Sequence, residues 1–71
     1  MNIEIDRDAD AAYIYFKEIQ EGEVKNTVSL NDFINVDLNS EGKVIGIEIL
    51  DASNNLSSTL NDLSKVSVKE I

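Results

Sequence analysis

The chain of 71 residues carries fourteen acidic side chains against six basic ones, and it contains neither cysteine nor histidine. These numbers exclude disulfides, a zinc site of the usual kind, and catalysis by a thiolate or an imidazole. The net charge of −8 also disfavours nucleic acids and anionic membrane surfaces as partners. We therefore expect one small domain over residues 1–71, without a cofactor and not an enzyme.

The location of the protein follows from similar exclusions. The first six residues alternate in polarity and carry acid, which is not typical of a signal peptide. No apolar run approaches the roughly 20 residues that a membrane span needs. Together with the absence of cysteine, these features predict a cytoplasmic protein.

The first half of the chain predicts three strands. Residues 3–5 alternate apolar and polar side chains, and residues 12–16 are rich in aromatic and β-branched types. Val24, Val28 and Leu30 share one parity, which indicates a third strand.

Residues 33–38 and 44–50 predict a hairpin, because each run places its large apolar residues on one face. Asn39 and Gly42 stand first and fourth in the connection, as a type I turn prefers, and we expect Gly42 to adopt positive φ. The register that puts all six large residues on one face has these pairs: Leu38 with Ile45, Val36 with Ile47, and Ile34 with Ile49.

The period becomes helical after residue 50, as three leucines show: Leu56, Leu60 and Leu63. Ser53 or Asn54 is expected to cap this helix, and residues 66–68 alternate as in a last short strand. The predicted fold class is α+β: an antiparallel β-meander of about five strands, with one short C-terminal helix packed on one face.

Two stretches carry a family resemblance. Residues 6–14 read Asp-Arg-Asp-Ala-Asp-Ala-Ala-Tyr-Ile, and residues 36–53 contain Val-Asp-Leu followed by Gly-Ile-Glu-Ile-Leu. Over roughly residues 1–53 the chain resembles domain-of-unknown-function family 2283, a prokaryotic family, although Arg7 stands where proline is common. The resemblance implies a compact β-rich fold and a bacterial or archaeal cytoplasm. It implies no activity and no catalytic residue.

Residues 37–48 match the spacing of a calcium-binding loop, with oxygen-bearing side chains at the first, third and fifth positions, Gly42 at the sixth and Glu48 at the twelfth. An EF-hand loop lies between two helices, whereas both flanks here alternate with the period of strands. In the predicted hairpin Glu48 pairs near Asn35, away from the turn. We therefore interpret the segment as a β-turn and expect no specific calcium site.

Asp6, Asp8 and Asp10 form a second acidic cluster and are weak candidates for a metal site. Ala11 stands where a calcium loop would need glycine. The favoured interpretation is an Asp-rich turn whose side chains accept backbone N–H groups. Asp10 directly precedes the aromatic strand and is predicted to be a structural residue, as are Gly42 and Gly46.

The predicted register places Asn35, Asp37 and Glu48 together on the face opposite the isoleucines. Two nearby carboxylates can perform acid–base chemistry, but such a row is more often a solvated outer face, which is our interpretation. Tyr13 and Tyr15 are expected to pack on a strand with their hydroxyls at the rim.

Three functions remain open. The leading hypothesis is a non-catalytic interaction module that forms a two-fold homodimer, because a chain of this size has few other sources of stability and leaves open sheet edges. Tyr13, Tyr15 and Phe33 are the predicted interface residues. The alternatives are an antitoxin-like acidic neutraliser of a basic partner protein, and a carboxylate-based metal-binding protein or enzyme.

Overall fold

A computed structural model describes residues 2–63 of the chain. The predicted strand at residues 66–68 lies outside these residues. The five strands are β1 (Asn2–Asp6), β2 (Ala11–Tyr15), β3 (Asn26–Ser29), β4 (Ile34–Leu38) and β5 (Val44–Ile49).

The strands form one antiparallel sheet in the order β1-β2-β5-β4-β3. It consists of a β1–β2 hairpin and a β3–β4–β5 meander, and the ladder between β2 and β5 joins these two parts. The predicted α+β class with a five-stranded antiparallel sheet is confirmed. The order leaves β1 and β3 as the two edges.

The two faces of the sheet differ sharply in chemistry because each strand alternates. One row of aligned residues crosses all five strands on the apolar face: Ile3, Ile14, Ile47, Val36 and Val28. The neighbouring row on the other face is polar: Glu4, Tyr13, Glu48, Asn35 and Ser29. We call these the apolar face and the polar face.

The β4–β5 register agrees with the prediction at two of its three pairs, Ile34 with Ile49 and Val36 with Ile47. The third pair is wrong, since Leu38 lies opposite Val44 and not opposite Ile45. A β-bulge next to the turn inserts one extra residue into β5. Ile45 is nevertheless buried, with 3% of its surface exposed.

β3 is shorter than predicted, because Val24 and Leu30 lie outside it. A local turn ends the strand: the side-chain Oδ1 of Asn31 accepts the N–H groups of Phe33 and Ile34 at 2.8 and 2.9 Å. An Asn side chain that bonds the backbone two or three residues on competes with ladder pairing, so the chain turns there towards β4.

The C-terminal helix is confirmed and comes as two single turns, α1 (Ala52–Asn55) and α2 (Leu60–Leu63). Leu56 is extended between them, so the leucine stripe does not run through one continuous helix. The predicted cap at Ser53 or Asn54 is wrong. Asp51 is the N-cap, and its backbone is in the left-handed conformation with a φ of 49°.

The core of the described residues is thin. The buried hydrophobic residues among them are Ala12, Ile45, Ile49 and Ala52. Ile14 and Ile47, in the central row of the apolar face, are only half-buried. Within residues 2–63, no helix is long and apolar enough to cross a membrane.

Candidate functional site

Asp10 connects the β1–β2 turn to α1. Its carboxylate accepts the hydroxyl of Ser53 at 2.6 Å and the N–H of Ser53 at 3.2 Å, and its backbone oxygen accepts the N–H of Ala52 at 2.8 Å. The residue itself has a positive φ of 52°. This bonding gives Asp10 the structural role that its position in the sequence predicted.

Two of the three carboxylates of the acidic cluster have separate roles. Asp6 accepts the N–H of Ala9 at 3.0 Å within the turn, whereas Asp10 bonds α1. Asp8 is exposed. Across residues 2–63, no three acidic side chains converge on a point where they could hold a metal ion.

The calcium-like segment is a β-turn, as predicted. Asn39 accepts the N–H groups of Glu41 and Lys43 through its side chain, and the N–H of Gly42 donates to the Asn39 carbonyl at 3.0 Å. Gly42 has a φ of 76°, which confirms the predicted left-handed conformation. The Asn39 side chain thus closes the turn and is not directed at a cation.

A hydrogen-bonded network covers the polar face. Asp37 accepts the hydroxyl of Thr27 at 2.7 Å and that of Tyr13 at 2.5 Å. The amide of Asn35 donates to Glu48 at 3.1 Å. The predicted grouping of Asn35, Asp37 and Glu48 on one face is therefore confirmed, and each of these side chains has a partner within the sheet.

Tyr13 lies across Gly46 to reach Asp37. A Cβ at position 46 would stand about 2.5 Å from Cζ of Tyr13, far inside van der Waals contact, so the ring occupies the space that only glycine leaves open. The ring of Tyr15 packs beside it at a centroid distance of 4.5 Å. This contact is the physical reason for the structural role predicted for Gly46.

The phenol of Tyr13 is a hydrogen-bond donor at all ordinary pH values. Burial raises the pKa of Tyr13 well above its usual value, and the hydrogen bond to Asp37 and the charges of Asp37 and Glu48 raise it further. A phenol in this environment stays protonated. The polar face can therefore donate and accept hydrogen bonds, but Tyr13 does not supply a phenolate base.

Charge is segregated between the two faces. All four acidic residues of the strands lie on the polar face, where a shallow concavity of about 200 Å³ opens between Tyr13, Tyr15 and carboxylates of β1 and β5. These acidic residues are Glu4, Asp6, Asp37 and Glu48. The described strands contain no lysine or arginine.

Exposed apolar side chains gather in and beside β3. Four of the large hydrophobic residues that remain exposed fall within residues 24–33: Val24, Val28, Leu30 and Phe33. Leu30 is the most open, with 72% of its surface exposed. We call these four residues the β3 cluster. Phe33, a predicted interface residue, belongs to it, whereas Tyr13 and Tyr15 lie on the polar face.

Three features were not predicted from the sequence: Ser53 as the partner of Asp10, Tyr13 as the partner of Gly46, and the β3 cluster. A glycine inside a strand indicates close approach by another group, so a close contact at Gly46 could have been predicted from the sequence. The link between Asp10 and Ser53 spans 43 positions, and no local pattern indicates it.

The fold and its two unlike faces define a small antiparallel β-sheet protein followed by short helical turns. A family model described as a protein of unknown function, DUF2283, matches residues 2–53, and the chain belongs to this family. The matched region includes all five strands and ends at Ser53, the residue that Asp10 binds. Comparison with curated proteins gives no significant match, and neither does comparison with solved structures.

Proposed function

We propose that this protein is a non-catalytic interaction module of the prokaryotic cytoplasm that self-associates as a homodimer. The observation that carries the proposal is the β3 cluster, in which four large apolar side chains in and beside an edge strand are exposed. Exposed apolar side chains that are close together on a domain surface often mark a contact site.

The thin core supports the same proposal. Only alanine and isoleucine side chains are buried among the described residues, and much of the apolar face remains partly exposed to solvent. A domain of this size has a small stability margin, and burial against a second subunit adds to it.

The distribution of charge reduces the electrostatic repulsion that would oppose a dimer. A net charge of −8 on each copy opposes association. However, the strand carboxylates lie on the polar face, and the four residues of the β3 cluster are uncharged. The charged residues between members of the cluster are Lys25 and Asp32, whose charges are opposite in sign. Contact through this region leaves the strand carboxylates in solvent, where salt screens them over a length of about 8 Å.

Sedimentation equilibrium at micromolar concentration in 0.15 M salt tests this proposal. We expect a species of twice the chain mass of 7.9 kDa. Leu30→Ser should weaken the dimer at least tenfold, because it removes the most exposed apolar side chain of the β3 cluster. Phe16→Ser is the matched control, since Phe16 is also exposed but lies next to β5. A wild-type protein that sediments at the mass of one chain contradicts the proposal.

The polar face supports a second candidate function, the neutralisation of a basic partner protein. The face presents four strand carboxylates and two neighbouring tyrosine rings, Tyr13 and Tyr15. Carboxylates attract lysine and arginine side chains, and aromatic rings bind their cationic groups. Under this candidate Tyr13 and Tyr15, which the sequence placed at a homodimer interface, would instead contact the basic partner.

Titration with an oligolysine peptide tests the second candidate. We expect binding that weakens with salt, and a loss of affinity of at least threefold for Glu48→Gln. Glu41→Gln is the matched control, because it removes one carboxylate from the β-turn and leaves the polar face intact. Equal affinities of the two variants contradict a role for the polar face.

A further inference from the structure

The two edges of the sheet are protected to different degrees. β1 presents Glu4 and Asp6, and charged side chains on an edge strand hinder pairing with another chain. β3 reads Asn-Thr-Val-Ser, carries no charge, and has all four residues exposed. β3 is therefore the edge that remains open to a further strand.

The hydrogen-bonding direction along β3 follows from its ladder with β4. Leu30 donates its N–H to the carbonyl of Ile34 at 2.8 Å, and Val28 lies two residues earlier opposite Val36. Along an antiparallel strand, residues whose N–H and C=O groups bond one neighbouring strand alternate with residues whose groups point the other way. Val28 therefore also hydrogen-bonds β4. The N–H and C=O groups of the intervening residues, Thr27 and Ser29, consequently point away from the sheet.

We infer that two copies of the chain join through β3, antiparallel, about a two-fold axis at Val28. This inference rests on the proposed self-association and specifies its geometry. Thr27 of each copy then lies opposite Ser29 of the partner subunit, and the two residues exchange both backbone hydrogen bonds. The two-fold symmetry produces this pair twice. Together the two pairs provide a hydrogen-bond partner for every outward-pointing backbone group of β3.

The arrangement continues both faces of the sheet. The two Val28 side chains meet at the axis on the apolar face, and Leu30 follows just beyond the end of each β3. The result is a sheet of twice five strands that has β1 at both ends. Because β1 carries acidic residues, this sheet stops at the dimer and does not grow further.

Electrostatic repulsion across the junction is weak. The nearest strand carboxylate to the axis on each copy is that of Asp37 on β4, opposite Thr27. Three strand spacings separate the two β4 strands, a distance of about 14 Å. This distance exceeds the Debye length of about 8 Å at physiological salt.

Cysteine crosslinking tests the geometry, because the chain contains no cysteine of its own. Across the axis the Cα atoms of two non-hydrogen-bonded residues lie about 4.5 Å apart, within the range of a disulfide. Val28→Cys should therefore oxidise to a covalent dimer at least tenfold faster than Ser29→Cys. In the control the two cysteines are diagonal neighbours about 7–8 Å apart, beyond disulfide reach.

The crosslinking rates of the two cysteine variants distinguish a dimer joined edge to edge from one whose sheets stack face to face. Stacked sheets lie about 10 Å apart, so a dimer joined through its apolar faces gives no rapid crosslink at position 28. If the wild-type protein is a dimer and Val28→Cys crosslinks no faster than Ser29→Cys, edge pairing is wrong and self-association stands. If the wild-type protein is a monomer by sedimentation, both proposals fail.

A second experiment tests the backbone hydrogen bonds of the junction directly and introduces no new side chain. A synthetic chain that is N-methylated at Ser29 keeps the serine hydroxyl and the ladder with β4, but it lacks one outward donor in each copy. We expect the dissociation constant of its dimer to rise at least tenfold relative to the unmethylated synthetic chain. An unchanged dissociation constant overturns the edge-pairing inference.

Discussion

Tyr13 and Gly46 share one space on the polar face: the tyrosine ring lies where a side chain at position 46 would be. The two residues belong to adjacent strands, β2 and β5, and the tyrosine hydroxyl continues past the glycine to Asp37 on β4. One side chain therefore spans three strands and ties the hairpin to the meander.

Replacement of this glycine should displace the tyrosine. We expect Gly46→Ala to lower the free energy of unfolding by about 1–3 kcal/mol, because the added methyl group collides with the ring and breaks its bond to Asp37. In a Tyr13→Ala background the same change should have a much smaller effect, since the ring is absent. Urea denaturation of the four proteins measures this coupling. Additive effects would show that the two residues do not compete for space.

Gly42 should resist substitution for a different reason, its positive φ of 76°. The space around it is open, so the penalty comes from the backbone alone. We expect Gly42→Val to destabilise the fold by about 1–2 kcal/mol and Gly42→Asn by clearly less, because asparagine tolerates the left-handed region. Thermal melts of both variants decide this. Equal midpoints for the valine variant and the wild type contradict the assignment of the turn.

Loss of the Asp10 carboxylate should loosen α1 from the β1–β2 turn. Asp10→Ala removes the acceptor for both Ser53 donors and places alanine at a positive φ, so we expect a loss of about 1–3 kcal/mol. Asp10→Asn keeps an acceptor and a residue that tolerates this φ, and its loss should be smaller. Ser53→Ala removes only the hydroxyl donor and isolates that bond. Denaturant midpoints should follow this order, and a reversed order would contradict the proposed role.

The raised pKa of Tyr13 makes stability depend on alkaline pH. The folded state holds the phenolic proton to higher pH than the unfolded state, whose tyrosines titrate near 10. The contribution of Tyr13 is therefore complete below about pH 10 and is lost as the pH rises further, by at most about 1.4 kcal/mol per pH unit.

Tyr13→Phe should flatten this alkaline decline, because phenylalanine has no proton to lose. The comparison is made by urea denaturation of both proteins between pH 8 and 11, with Tyr15→Phe as the control. Parallel alkaline curves for wild type and Tyr13→Phe would show that Tyr13 does not titrate differently in the folded state.

Calcium and magnesium should bind weakly at best, with dissociation constants above about 0.1 mM. Asp37 already accepts two hydroxyl groups, and Asn39 closes the turn with its own side chain. Glu48 bonds Asn35 along the strand. Isothermal titration calorimetry measures the affinity. Saturable micromolar binding that Asp37→Ala abolishes would contradict this interpretation.

The sequence predicted the parts of the fold that depend on local alternation. Ile34, Val36, Ile47 and Ile49 fixed the main hairpin register, since a slip of one residue would bury Glu48. The bulge at Ile45 was not predicted, because Ile45, Ile47 and Ile49 alternate in the sequence without a break that would indicate an extra residue.

The candidate site was predictable only in part. The shared face of Asp37 and Glu48 followed from the register of one hairpin. Tyr13 could not be assigned to Asp37 in the same way, because that contact requires β2 to pair with β5, and the connection between these strands carries no pattern that sets the strand order. The difference between the edges β1 and β3 depends on the same order.

The ladder between β2 and β5 also has a kinetic consequence. The β1–β2 hairpin and the β3–β4–β5 meander each form from neighbouring segments, whereas Tyr15 reaches Gly46 only after about thirty residues of chain have closed into a loop. Contacts of large sequence separation slow folding, because the entropy of loop closure is lost before they form. We therefore expect the docking of the hairpin on the meander to be the rate-limiting step in folding of this chain. Tyr13, Gly46 and the Asp10–Ser53 bond lie at that junction, so their substitution should change the folding rate more than equal destabilisation within the turn at Gly42 does.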